Sequence, residues 1–106
     1  MKIFLCCSAG MSTSMLVNKM RNEAEKRDIE CTINAYSMSE FESCLAENDV
    51  CLVAPQVRFK FAEFKARAEE CGKSCGLIDM SNYGMMKGDV ILNQAIELYN
   101  STKEEV

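Results

Sequence analysis

The chain has 106 residues, about half of them apolar, which fits one globular domain with a single core and does not resemble a disordered composition. Its 12 basic and 16 acidic residues leave a net charge of −4, which argues against nucleic acid as a partner, because phosphate-backbone binding needs a basic footprint. Seven cysteines, an odd count with no secretion signal, indicate reduced thiols rather than a disulfide framework; with no histidine and no C-x-x-C pair, no metal site is expected.

Lys2 to Cys7 reads as a strand. Its apolar run is far too short for a signal-peptide core or a membrane span, so a cytoplasmic location without membrane insertion is expected. Ser12 to Arg27 reads as a helix, with Leu16, Val17, Met20 and Ala24 on one face. Cys31 to Tyr36 is a second strand. Ser37 and Glu40 then have the spacing of a capping box, and Phe41, Cys44 and Leu45 stripe a short helix that Asn48 ends.

Val50 to Ala54 alternates so little that it reads as a strand buried on both faces. Pro55 stops it and opens the next helix, where a missing N–H costs least. Phe61, Phe64, Ala68 and Cys71 mark that helix's apolar side. Cys75 to Met80 is a fourth strand, followed by a loop with Tyr83, Gly84 and Gly88. Ile91, Ala95 and Leu98 stripe a last helix, and residues from about 101 to 106 read as a frayed tail.

Four strands alternating with helices predict an α/β fold: one domain over residues 1–106, an open parallel four-stranded sheet with helices on both faces. Ligands of such sheets bind beyond the carboxyl ends of the strands, where strand order reverses. Cys7, Ser37, Pro55 with Gln56, and the segment from Asp79 to Gly88 should therefore share one rim.

The stretch from Cys7 through Ser8, Ala9, Gly10, Met11, Ser12, Thr13 and Ser14 joins the first strand to the first helix. A helix start offers unpaired N–H groups and partial positive charge, which suit an oxyanion such as phosphate. Small Ala9 and Gly10 allow close backbone approach, Gly10 tolerates positive φ, and the hydroxyls add donors. Cys7 is placed to be a nucleophile. The same residues also suit an ordinary capped βα turn. The loop is neither a nucleotide P-loop, lacking G-K-[ST], nor a G-x-G-x-x-G fingerprint.

Low-molecular-weight tyrosine phosphatases use a cysteine loop of pattern C-x5-R. Counted from Cys7, the arginine position holds Thr13; counted from Cys6, it holds Ser12. The loop could receive a phosphoryl group but lacks the clamp that speeds hydrolysis.

Cys7-Ser8-Ala9-Gly10-Met11-Ser12-Thr13-Ser14 resembles the active-site loop of the IIB subunits of the bacterial sugar phosphotransferase system, lactose/cellobiose (N,N′-diacetylchitobiose) class. Ala54-Pro55-Gln56 resembles that family's G-P-Q, and Tyr83-Gly84 with Gly88 its Y-G-x-x-x-G. The resemblance implies the phosphatase-like phosphate-loop fold and a phosphotransferase component without cofactor. Cys7 would accept a phosphoryl group from a IIA phosphohistidine and pass it to a sugar, such as cellobiose, chitobiose or lactose, carried by the membrane IIC subunit. A monomer is expected for a carrier that meets two partners in turn. The alternative is a cysteine-dependent phosphatase or arsenate reductase of related loop type.

Several residues keep two readings. Cys6 reads as packing, with a Cys6–Cys7 redox event as the other possibility. Arg58 and Lys60 beside Phe59 and Phe61 suit either a docking surface or a solvated helical turn over two buried aromatics. Tyr83 could lean over the loop or cap the sheet edge. Asp79 could be a phosphatase acid or a cap for the segment that follows.

Overall fold

A computed structural model describes residues 1–8 and 11–104, with the side chains at 11, 12, 103 and 104 outside that description. Strands β1 (Lys2–Cys7), β2 (Thr32–Ser37), β3 (Val50–Val53) and β4 (Ser74–Leu77) form one sheet in the order β2-β1-β3-β4, every neighbouring pair parallel. The chain steps one way from β1 to β2 and the other way from β3 to β4. The reversal of strand order therefore falls between β1 and β3, and the end of β1 stands at the switch point.

Helices α1 (Met11–Lys26), α2 (Phe41–Glu47), α3 (Phe61–Glu70), α4 (Met80–Gly84) and α5 (Gly88–Glu104) complete the fold. Strand periodicity separates two cores. Ile3, Leu5, Val50 and Leu52 point to one face and pack with Leu16, Val17 and Met20 of α1 and Ile91, Leu92 and Ala95 of α5. Phe4, Cys6, Cys51 and Val53 point to the other and pack with Phe41 and Leu45 of α2 and Phe64 and Ala68 of α3. The Phe41 and Phe64 rings stack with centroids 3.9 Å apart, tying α2 to α3. Burial on both faces explains why β1 and β3 read as unbroken apolar runs.

The capping box forms: Ser37 Oγ accepts from Ser39 N–H at 3.3 Å, and Ser37 N–H donates to Glu40 Oε2 at 3.4 Å. It caps a 3-10 turn, Met38–Glu40, that leads into α2, and Asn48 is the C-cap. Pro55 likewise opens a 3-10 segment, Pro55–Lys60, broken at Val57 (φ −117°, ψ 28°), so α3 begins only at Phe61.

Three expectations are corrected. β4 ends at Leu77 rather than Met80, because the Asp79 carboxylate accepts from Ser81 and Asn82 N–H and starts the five-residue helix α4 inside the expected loop. Cys71 is not on the apolar side of α3: it is that helix's exposed C-cap. Phe59 is 70 % exposed, not buried. α5 runs to Glu104; the Ser74 hydroxyl donates to Leu98 O at 2.7 Å and is hydrogen-bonded to Thr102 Oγ1. No helix among the described residues is long and apolar enough to cross a membrane.

Candidate active site at the end of the first strand

Cys7 is the last residue of β1, in register with Ser37 of β2. Its side chain is 1 % exposed and packs in the α2/α3 core, where Sγ donates to the Tyr36 carbonyl oxygen at 3.6 Å. Ser8 is exposed beside it, and α1 starts at Met11. Ala9 and Gly10, the two loop residues for which the sequence expects close backbone approach, lie outside the described residues, as do the side chains of Met11 and Ser12. The first turn of α1 holds no acidic residue, so no carboxylate there competes with an anion for the positive end of the helix.

Thr13 and Ser14 separate. Ser14 is exposed, whereas Thr13 is completely buried. Thr13 lies three and four residues before Leu16 and Val17, so it extends the inward stripe of α1. Its hydroxyl is hydrogen-bonded to the Tyr83 hydroxyl at 2.8 Å. The Tyr83 ring packs against both cores. Tyr83 therefore reaches the start of α1. Spacing cannot foresee this pair, because its members lie 70 residues apart, although a threonine on an apolar stripe signals that some partner is required.

The other rim residues stand apart from the thiol in character. Pro55 is buried at the entry to its 3-10 segment and Gln56 is exposed. Gly84 ends α4, and a β-carbon there would point into open space. Asp79 is engaged as the cap of α4 through one carboxylate oxygen, at 3.0 Å from Ser81 N and 3.1 Å from Asn82 N. Met15, Phe59, Met80 and Met85 are exposed apolar residues on segments that follow the carboxyl ends of β1, β3 and β4.

The two adjacent thiols differ. Cys6, two residues after Phe4, is sealed in the α2/α3 core. Burial pushes its thiol up to about 12, the neighbouring Cys7, Cys75 and Cys44 thiols adding in the same sense. A thiol raised this far keeps its proton near neutral pH, which suits a packing residue. A cysteine-dependent phosphatase would use an arginine at the Thr13 position and a free acid on the rim. This chain has instead a buried threonine held by Tyr83 and a carboxylate engaged as a helix cap.

The family described as "PTS system, Lactose/Cellobiose specific IIB subunit" matches residues 2–94. The galactose-specific EIIB component of Lactococcus lactis subsp. cremoris is 41% identical over 103 residues, covering 92% of this chain and 95% of the relative. The oligo-beta-mannoside-specific EIIB component of Bacillus subtilis is 36% identical over 97 residues, covering 92% and 94%. The solution structure of the cellobiose-specific phosphotransferase IIB component from Borrelia burgdorferi superposes with a TM-score of 0.82 at 35% identity, covering 96% of this chain and 94% of that one. With its sheet order, its cysteine at the switch point and these matches across nearly its whole length, the chain belongs to the lactose/cellobiose-specific IIB family of the sugar phosphotransferase system.

Proposed function

We propose that this chain carries a phosphoryl group on Cys7 in a cytoplasmic relay for sugar uptake. IIB components of this system are phosphotransferase components that work with IIA and IIC. The Cys7 sulfur attacks phosphorus on a IIA phosphohistidine; the S–P bond forms, the N–P bond breaks, and the thiol proton ends on the released histidine nitrogen. A hydroxyl of the sugar held by IIC then attacks the same phosphorus; the O–P bond forms, the S–P bond breaks, and the hydroxyl proton ends on sulfur, which restores the thiol. Ser8 to Ser14 form the phosphate-holding loop, with Pro55, Gln56, Tyr83 and Gly84 on the surrounding rim. The sugar is a β-linked disaccharide such as cellobiose, chitobiose or lactose, and the carrier acts as a monomer.

The observation that carries the reading is the place of Cys7: the last residue of a central strand, at the reversal of strand order, directly ahead of a helix whose first turn bears no negative charge. The test supplies phosphoenolpyruvate, the general phosphotransferase proteins and a cognate IIA, and locates the label by peptide mass. Cys6→Ser should keep a cysteine-linked phosphate and Cys7→Ser should lose it. The opposite pattern would place the acceptor at Cys6.

A further inference from the structure

The Thr13–Tyr83 bond joins the first turn of α1, which carries the loop, to α4, which follows β4 on the same rim. Both ends are firmly held. Thr13 is 0 % exposed, so its hydroxyl needs a protein partner, and Tyr83 supplies one. The Tyr83 ring rests on both cores, its N–H donates to the Asp79 carbonyl at 2.9 Å, and the Asp79 carboxylate caps the same short helix. A five-residue helix has little stability of its own. What seats it is the cap at one end and Tyr83 in its last turn.

We propose that Tyr83 is a positioning residue for phosphoryl transfer at Cys7, acting through Thr13. Its hydroxyl fixes how Thr13 and the first turn of α1 sit relative to Cys7 at the end of β1, and thereby how the helix start faces a phosphoryl group on Cys7. Transfer is sensitive to such placement, since displacement of reacting groups by about 1 Å can cost a hundredfold in rate. This inference rests on the reading of Cys7 as the acceptor. It assigns Tyr83 a part in the transfer step itself, distinct from contact with a docked IIA.

The experiment follows transfer of labelled phosphoryl from phosphorylated IIA to the full chain in a rapid-quench series, with IIA concentration varied. Tyr83→Phe keeps the ring and removes only the hydroxyl; Thr13→Val removes the other end. Each should lower the maximal rate roughly ten- to hundredfold with little change in the half-saturating IIA concentration. The double variant should be no slower than the slower single one, because both remove the same bond. Thr13→Ser, which restores a hydroxyl, should recover most of the rate lost in Thr13→Val. Circular dichroism and thermal unfolding establish that each variant is folded.

An unchanged maximal rate in Tyr83→Phe, a change confined to the half-saturating concentration, or multiplicative losses in the double variant would overturn the proposal. A wild type that takes no label on Cys7 would overturn the carrier reading and this inference with it. A labelled wild type with an unaffected Tyr83→Phe overturns this inference alone.

Discussion

Gly88 lies directly against the backbone of Lys19: a β-carbon at position 88 would stand 2.9 Å from the Lys19 carbonyl carbon and 3.0 Å from Met20 N. The contact joins the start of α5 to the middle of α1, the helix that follows the cysteine loop. Of the two glycines in the Tyr83-Gly84…Gly88 segment, Gly88 serves helix packing. Gly84 would carry a β-carbon into open space, and the left-handed conformation between them is taken by Met86, at φ 51°.

Gly88→Ala should therefore destabilise the protein by about 1–3 kcal/mol, since backbone must give way, despite the better helix propensity of alanine. Gly84→Ala should stay within about 0.5 kcal/mol of the wild type. Urea denaturation of the two variants side by side gives the ranking; equal midpoints would show that α1 and α5 can separate freely at this contact.

Alkaline pH should unfold the protein through its buried thiols. Cys6 is raised to about 12 by burial and by its neighbouring thiols. Cys51 is raised by its hydrogen bond with Cys75, its register partner on β4, and by burial. Both hold their protons more tightly folded than unfolded, where a thiol titrates near about 8.5. Their contribution is complete below that value and is lost as pH rises toward the folded value, by about 1.4 kcal/mol per pH unit per thiol. Stability measured between about pH 9 and 11 should fall less steeply in Cys6→Ala than in the wild type; parallel slopes would contradict this account.

Asp79 should behave as a cap and not as an acid. Asp79→Ala should cost about 1 kcal/mol by orphaning the N–H groups of Ser81 and Asn82, whereas Asp79→Asn, itself a good cap, should cost little. Decay of the phosphocysteine form should be the same in Asp79→Asn as in the wild type. A several-fold slower decay in Asp79→Asn would assign its carboxylate a role in hydrolysis.

The phosphocysteine form, isolated from IIA, should persist in the folded protein, because the position that holds an arginine in phosphatase loops is Thr13, buried and bonded to Tyr83. Thr13→Arg should not create a phosphatase. A guanidinium on the inward stripe of α1 would be a buried charge without a partner, costing about 3 kcal/mol or more, visible as a lowered thermal midpoint. A stable Thr13→Arg protein that releases inorganic phosphate would show that the side chain can turn toward the loop.

Much of the molecule is determined locally. The apolar runs at Ile3 and Val50, the stripe of Leu16, Val17 and Met20, the Ser37–Glu40 box and the stop at Pro55 each report a neighbourhood of a few residues, and each marks its element to within a few positions. Alternating strands and helices then suffice for a parallel sheet, and a parallel sheet for the rim on which Cys7 stands. Short structures without a full period escape such reading. α4 is made by one carboxylate and five residues, and the 3-10 turns before α2 and α3 share the sequence signals of the helices they precede.

What only the tertiary structure decides is which distant residues complete one another. Cys6 and Cys7 are the same residue type in adjacent positions and both are buried in the α2/α3 core, but only Cys7 stands at the strand's end, where its Sγ donates to the Tyr36 carbonyl oxygen. Thr13 and Tyr83 become a pair only after β4 is laid down beside β3 and α4 is capped on the rim. Gly88 is required only because α5 crosses Lys19 at backbone distance. Hydrophobic periodicity reports burial along the chain, whereas hydrogen bonds and close contacts between elements depend on where the packed layers bring them, and that arrangement exists only in the folded chain.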